Sequence, residues 1–166
     1  MKFPVCQVCL KNEILCNGCA EKMGQAEIKI DEINMFRQLN KILGSQKSLE
    51  NVEIRRAVGK RNLIVVTRKD DISKLVGKDG SNVKKLAKEL EVPIRIVVES
   101  DDIKNFVTEV LFTVPIMGIN ILYTPEGIMY RVRVPLSHRT KLPISSEILA
   151  SMSRSLFNVD IDIIFE

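Results

Sequence analysis

Apolar positions along the chain follow two spacings, helical and alternating, and their order repeats. Ile33, Phe36, Leu39 and Ile42 or Leu43 recur at helical spacing until Gly44. Asp31 is placed to cap that helix, after Glu27-Ile28-Lys29-Ile30, which reads as a short extended linker. Two strand-like runs follow at 52–58 and 62–67, with Gly59-Lys60-Arg61 as the hairpin turn. Asp70 or Asp71 can cap a short helix through Ile72, Leu75 and Val76; Gly77-Lys78-Asp79-Gly80 breaks it, a second helix covers 81–90, and 93–98 makes a third strand.

The same order then returns. Asp101 or Asp102 caps a helix carrying Ile103, Phe106, Val107, Val110 and Leu111, which ends by Gly118. Strands at 119–123 and 128–134 flank Thr124-Pro125-Glu126-Gly127, helical stretches lie near 137–142 and 146–157, and 160–165 closes the chain. Residues 92–99 align with 159–166 at an offset of 67. Two copies of one ~65-residue unit predict an α+β fold, with domains at 31–99 and 100–166 after an N-terminal segment 1–30.

Charge sharpens this picture. The net charge is +4, but residues 51–99 carry twelve Lys/Arg against seven Asp/Glu, while residues 100–166 carry six against eight. The positive surplus lies with the Gly-Lys-Asp-Gly turn and favours a phosphate backbone as partner. No stretch has the ~18 consecutive apolar residues of a membrane span, and the N-terminus lacks an apolar signal core, so a cytoplasmic protein is expected, with no membrane partner.

All four cysteines fall in residues 1–30, as Cys6-Gln7-Val8-Cys9 and Cys16-Asn17-Gly18-Cys19. Two Cys-x-x-Cys hooks present four thiolates to one tetrahedral ion, which predicts a structural Zn²⁺ site at Cys6, Cys9, Cys16 and Cys19. Iron has the same ligand count; disulfides suit a cytosolic chain poorly, and a redox Cys-x-x-Cys motif is usually one pair at a βαβ helix start rather than two pairs around a loop.

The run from Leu75 to Leu86 carries the other candidate chemistry. Gly77 and Gly80 lie between two helical stretches, where a tight turn leaves amides available to a phosphate. In this helix-turn-helix-strand setting the segment resembles the type II KH domain: an apolar pair, Gly-x-x-Gly with a basic first x, then a helix with Val83 and Leu86 inward. Two such units in tandem, with 118–127 and Tyr130-Arg131-Val132-Arg133-Val134-Pro135 opening the second, resemble the archaeal NusA family. The resemblance covers residues 31–166 and leaves the cysteine module outside it.

The resemblance implies that the turn clamps the backbone of single-stranded RNA, with Gly77 and Gly80 permitting close approach. The candidate RNA-binding residues are Val76, Gly77, Lys78, Asp79, Gly80, Ser81, Lys84, Lys85 and Arg95, with Lys88 adding long-range attraction. Val76, Val83 and residues 94–97 would floor a groove for bases, and Arg95 would reach a base edge. Asp79 sets a negative charge near the phosphates, so binding in the micromolar range or weaker is expected. By the offset of 67, Gly77 and Gly80 correspond to Ile144 and Glu147, so the second unit is expected not to clamp RNA through that loop.

His138 is the sole histidine, no Gly-x-Ser-x-Gly elbow accompanies it, and the turn lacks the Walker Gly-Lys-Ser/Thr ending. An enzyme, and hence a small-molecule substrate, is not expected. The resemblance points to an accessory factor in transcription elongation or termination near RNA polymerase. A ribosome-associated RNA-binding protein, or an adaptor docking through the metal module and second unit, are the competing readings.

Overall fold

The computed structural model describes residues 1–25, 27–59 and 63–166, which form two compact units, Met1–Glu99 and Ser100–Glu166. In the first, short helices α1 (Gln7–Lys11) and α2 (Asn17–Gly24) each begin immediately after a cysteine, Cys6 and Cys16. Helix α3 (Ile30–Leu43) follows, then strands β1 (Ile54–Val58) and β2 (Leu63–Thr67), helices α4 (Ile72–Val76) and α5 (Ser81–Leu90), and strand β3 (Ile94–Val98). The sheet order is β1-β2-β3, with β1 antiparallel and β3 parallel to β2.

Several local readings shift. Helix α3 starts one residue before Asp31, and its N-cap is Lys29, so Asp31 sits in the first turn, where a carboxylate favours the helix dipole. Asp71 does precede α4 but caps nothing with its side chain; that carboxylate instead accepts from the Glu53 amide at 3.1 Å. Lys60 and Arg61 of the expected hairpin turn, and Asn62 of the expected strand, lie outside the described residues; Gly59, just before them, has φ 106°.

The core of this unit is continuous with the cysteine segment. Met1, Val5, Cys9, Leu10 and Cys19 join one buried cluster with Ile33, Phe36, Leu39, Leu43, Leu63, Val65, Leu75 and Leu86. Phe3 stacks on Phe36 with ring centroids 5.4 Å apart. Lys2 adds a parallel bridge to the sheet margin, donating from its amide to Val52 O (2.8 Å) and accepting from the Ile54 amide (2.9 Å). The Arg37 guanidinium, projecting from α3, donates to the carbonyls of Cys9 (3.0 Å), Asn12 (2.6 Å) and Glu13 (3.1 Å), holding the connection between the hooks.

The second unit repeats the order. Helix α6 (Ile103–Val110), strands β4 (Gly118–Thr124) and β5 (Gly127–Val134), a 3-10 stretch at Leu136–Lys141, helix α7 (Ser146–Phe157) and strand β6 (Asp160–Phe165) follow in sequence. Asp102 caps α6, accepting from the Lys104 amide at 2.9 Å. Sheet order is β4-β5-β6, again antiparallel then parallel. The repeat extends to backbone detail: α5 and α7 both end on a left-handed residue, Glu91 (φ 55°) and Asn158 (φ 56°), which stand 67 residues apart.

Candidate nucleic-acid interface and metal centre

Helix α4 ends where Gly77 takes φ 77°, and a single 3-10 turn leads through Asp79 (φ 53°) and Gly80 (φ 73°) into α5. Three positive-φ residues among four explain why glycine is needed at both ends of the turn and why Asp79, a short polar residue, fits the third such position. The Gly77 amide donates to Ser73 O, the Gly80 amide to Gly77 O and the Ser81 amide to Lys78 O. The amides of Lys78 and Asp79 open the turn and so find no acceptor within it. They, rather than the glycines' own amides, are the donors available to a phosphate.

The two glycines differ in what surrounds them. A Cβ on Gly77 would come within 2.7 Å of Ser81 Oγ and 2.9 Å of Asn82 Nδ2, whereas a Cβ on Gly80 would meet nothing nearer than Lys84 Cε at 4.0 Å. Gly77 is thus a packing requirement and Gly80 faces open space. Helix α5 also begins without any side-chain cap, so its first amides are not taken by the protein's own side chains.

Asn82, which sequence reasoning did not single out, holds the turn's flanks together. Buried to 7% exposure, it donates through Nδ2 to Lys74 O of α4 (3.1 Å) and accepts through Oδ1 from Gln46 Nε2 (3.2 Å). Nothing in the sequence distinguishes it from an ordinary polar residue at the second position of a helix.

Of the sequence candidates, Lys78, Asp79, Gly80, Ser81 and Lys84 lie together at the turn, with Val76 half-buried beside them. Lys85 does not join them; it lines a groove with Gln38, Lys41, Ile42 and Glu89 on the α3 side of α5. Arg95 is also not brought to the turn. Ile94 and Ile96 pack into the core under the helices, and strand alternation sets Arg95 on the other face of the sheet.

The corresponding loop of the second unit is closed. Ser145 caps α7, accepting from the Ile148 amide at 3.3 Å, and no residue from 142 to 147 has positive φ. The Glu147 carboxyl is held below the usual carboxylate range, first by its own backbone amide and then by the Ser145 and Ser146 hydroxyls. A resident carboxylate thus occupies the helix start. Arg131 and Arg133 pair with Asp162 (3.4 Å) and Glu166 (2.6 Å) on the sheet surface, and the Arg139 guanidinium lies 5.8 Å from the Phe165 ring centroid.

The four cysteines converge. Their sulfurs all lie within 4.8 Å of one another, and Cys6 Sγ is 3.8 Å from Cys16 Sγ. A tetrahedral Zn²⁺ with Zn–S bonds of about 2.3 Å has edges of about 3.8 Å, so the donor set fits such an ion. Each hook supports the other: the Cys6 amide donates to Cys19 Sγ (3.5 Å) and the Cys16 amide to Cys9 Sγ (3.1 Å). The Cys6 thiol is held down to about 7, first by the Cys9 amide and then by the Cys9 thiol. Cys9, although the Cys16 amide favours its thiolate, is pushed up to about 12 by burial and by the three neighbouring thiols. Four sulfurs this close could hold one metal ion, which would favour the thiolate form of each.

Residues 25–99 match the family model described as the NusA-like first KH domain. No curated protein matches the sequence. Sixty-eight chains of solved structures match it; one, titled "Crystal structure of APE1850", aligns with a TM-score of 0.60 at 18% identity, over 84% of this chain and 100% of that one. At that identity the likeness speaks for fold alone, and the share covered exceeds what either unit contributes by itself. The turn geometry, the helix-turn-helix-strand order around it and the family match together identify residues 25–99 as a NusA-like first KH domain, which this chain carries between a four-cysteine cluster and a second sheet unit.

Proposed function

We propose that the chain is a single-stranded RNA-binding accessory factor that holds the RNA backbone at the turn Gly77-Lys78-Asp79-Gly80, acting on transcripts in the manner of NusA during elongation or termination. The observation that carries this reading is internal to the molecule: α5 opens without a side-chain cap beneath an unobstructed Gly80, while its counterpart α7 is capped by Ser145 and covered by the Glu147 carboxylate. A phosphate oxygen takes the amides of Lys78 and Asp79, and Lys78 and Lys84 add charge-assisted attraction. Residues 1–30 hold a structural Zn²⁺ through Cys6, Cys9, Cys16 and Cys19, residues 31–99 form the RNA-binding domain, and residues 100–166 form a second KH unit that does not clamp RNA. The working compartment is the cytoplasm, with RNA polymerase as the protein partner.

The test is ultraviolet crosslinking of the full chain to labelled single-stranded RNA. Lys78→Ala with Lys84→Ala should lower crosslinking and flatten its salt dependence, while Lys85→Ala and Arg95→Ala leave both nearly unchanged. Equal losses from all four substitutions would point to diffuse charge rather than a clamp. A second reading, docking on a protein through the metal module, is favoured by Val8 in the first hook and Ile14 in the connection between the hooks, which stand 63% and 85% exposed. Recovery of a nuclease-resistant protein complex that depends on those two residues would support it.

A further inference from the structure

The two sheets have four edges, and three are protected against pairing. β1 carries Arg55 and Arg56, a bulge between Ile54 and Arg56, and the Lys2 bridge. β3 follows Pro93 and carries Arg95; β6 carries Asp160 and Asp162 and leads to Glu166. Charge, proline and bulges are the usual means of blunting an edge.

β4 has none of them. Its seven residues, Gly118-Ile119-Asn120-Ile121-Leu122-Tyr123-Thr124, are uncharged, and their register with β5 is unbroken from Gly118 opposite Arg133 to Thr124 opposite Gly127. Among the described residues no strand or bridge lies on its other side. Ile121 and Tyr123, and Ile128 opposite Tyr123 on the same face, are 40%, 82% and 44% exposed.

We propose that β4 is a homotypic pairing edge, to which a second copy of the chain adds its own β4, antiparallel about a two-fold axis through Ile121. A charged strand would find no counter-charge along β4, which narrows the occupant to a neutral strand, and β4 is the one uncharged edge strand the described residues supply. Two-fold pairing at Ile121 sets Ile119 opposite Tyr123, Asn120 opposite Leu122 and Gly118 opposite Thr124. The Ile–Tyr pairs are of the aromatic and β-branched kind that stabilises adjacent strands. Glu126 then falls opposite Ile116 rather than another acid, so the net negative charge of residues 100–166 is not concentrated at the contact.

Sedimentation of the full chain over a range of concentrations tests this. Wild type should pass reversibly from monomer to dimer, and Ile121→Lys, which opposes two like charges across the axis, should remain monomeric with an unchanged circular dichroism spectrum. Should that variant misfold, Ile121→Cys decides independently. Directly opposed residues lie ~4.5–5.5 Å apart between Cα atoms, within disulfide range, so oxidation should trap a covalent dimer. Wild type, with its own free Cys6 and Cys16, sets the background, and Ile128→Cys should not exceed it. A wild-type chain that stays monomeric to its solubility limit, or a dimer indifferent to a folded Ile121→Lys, overturns the proposal.

Discussion

At the scale of single residues, the two glycines of the turn have separate jobs, and substitution should separate them. Gly77→Ala forces a side chain into Asn82 at a positive φ, so it should destabilise the protein by roughly 1–3 kcal/mol, visible as a lowered thermal midpoint. Gly80 has space in front of it, and aspartate tolerates its left-handed backbone, so Gly80→Asp should keep the fold. Substituting both together would confuse a folding defect with a binding defect. Asn82→Ala leaves the Lys74 carbonyl and Gln46 amide without their partner; a loss of about 1–3 kcal/mol is expected, with weakened RNA binding because α4 and α5 no longer fix the turn. Thermal unfolding and RNA titration of the same sample read both effects.

Among elements, the cysteine hooks and α3 behave as one piece. Cys9 and Cys19 are buried in the same cluster as Phe36, and Arg37 ties α3 to the peptide between the hooks. Chelation, or Cys9→Ser, should therefore lower the unfolding midpoint of residues 1–99 as a whole, and metal analysis should return close to one zinc per chain; melting confined to the hooks would contradict this coupling. The sign of the pH dependence follows from the ligands. Thiolates bind the ion and protons compete for them, so metal binding releases protons, most of all from Cys9, and metal affinity falls as the solution is acidified. A metal titration in weakly buffered solution with a pH indicator checks the release.

Most elements were legible from spacing, because their apolar stripes had one clear period and several boundaries carried a glycine, proline or aspartate. The closing strand 160–165 and the helix 81–90 fall where the pattern puts them. What spacing could not convey was side-chain direction. Lys84 and Lys85 are adjacent in sequence, yet a helix turns by about 100° per residue, so one reaches the turn and the other the α3 groove. Strand alternation separates Arg95 from the turn for the same reason. The cysteine hooks looked like an appendage because no sequence pattern reports that Phe3 stacks on Phe36 or that Lys2 joins the sheet margin.

For the molecule as a whole, the two units share a sheet topology and differ at the turn. Both copies retain antiparallel-then-parallel sheets and a left-handed helix stop 67 residues apart, while one helix start is bare and the other filled by its own carboxylate. RNA, on the proposed function, is held at the bare one. The most direct test is the affinity of full-length Gly80→Asp for a short single-stranded RNA, measured by anisotropy alongside circular dichroism. A loss of about tenfold or more with an unchanged spectrum is predicted, since a carboxylate there repeats what Glu147 does in the second unit. Wild-type affinity in a folded Gly80→Asp variant would contradict the clamp.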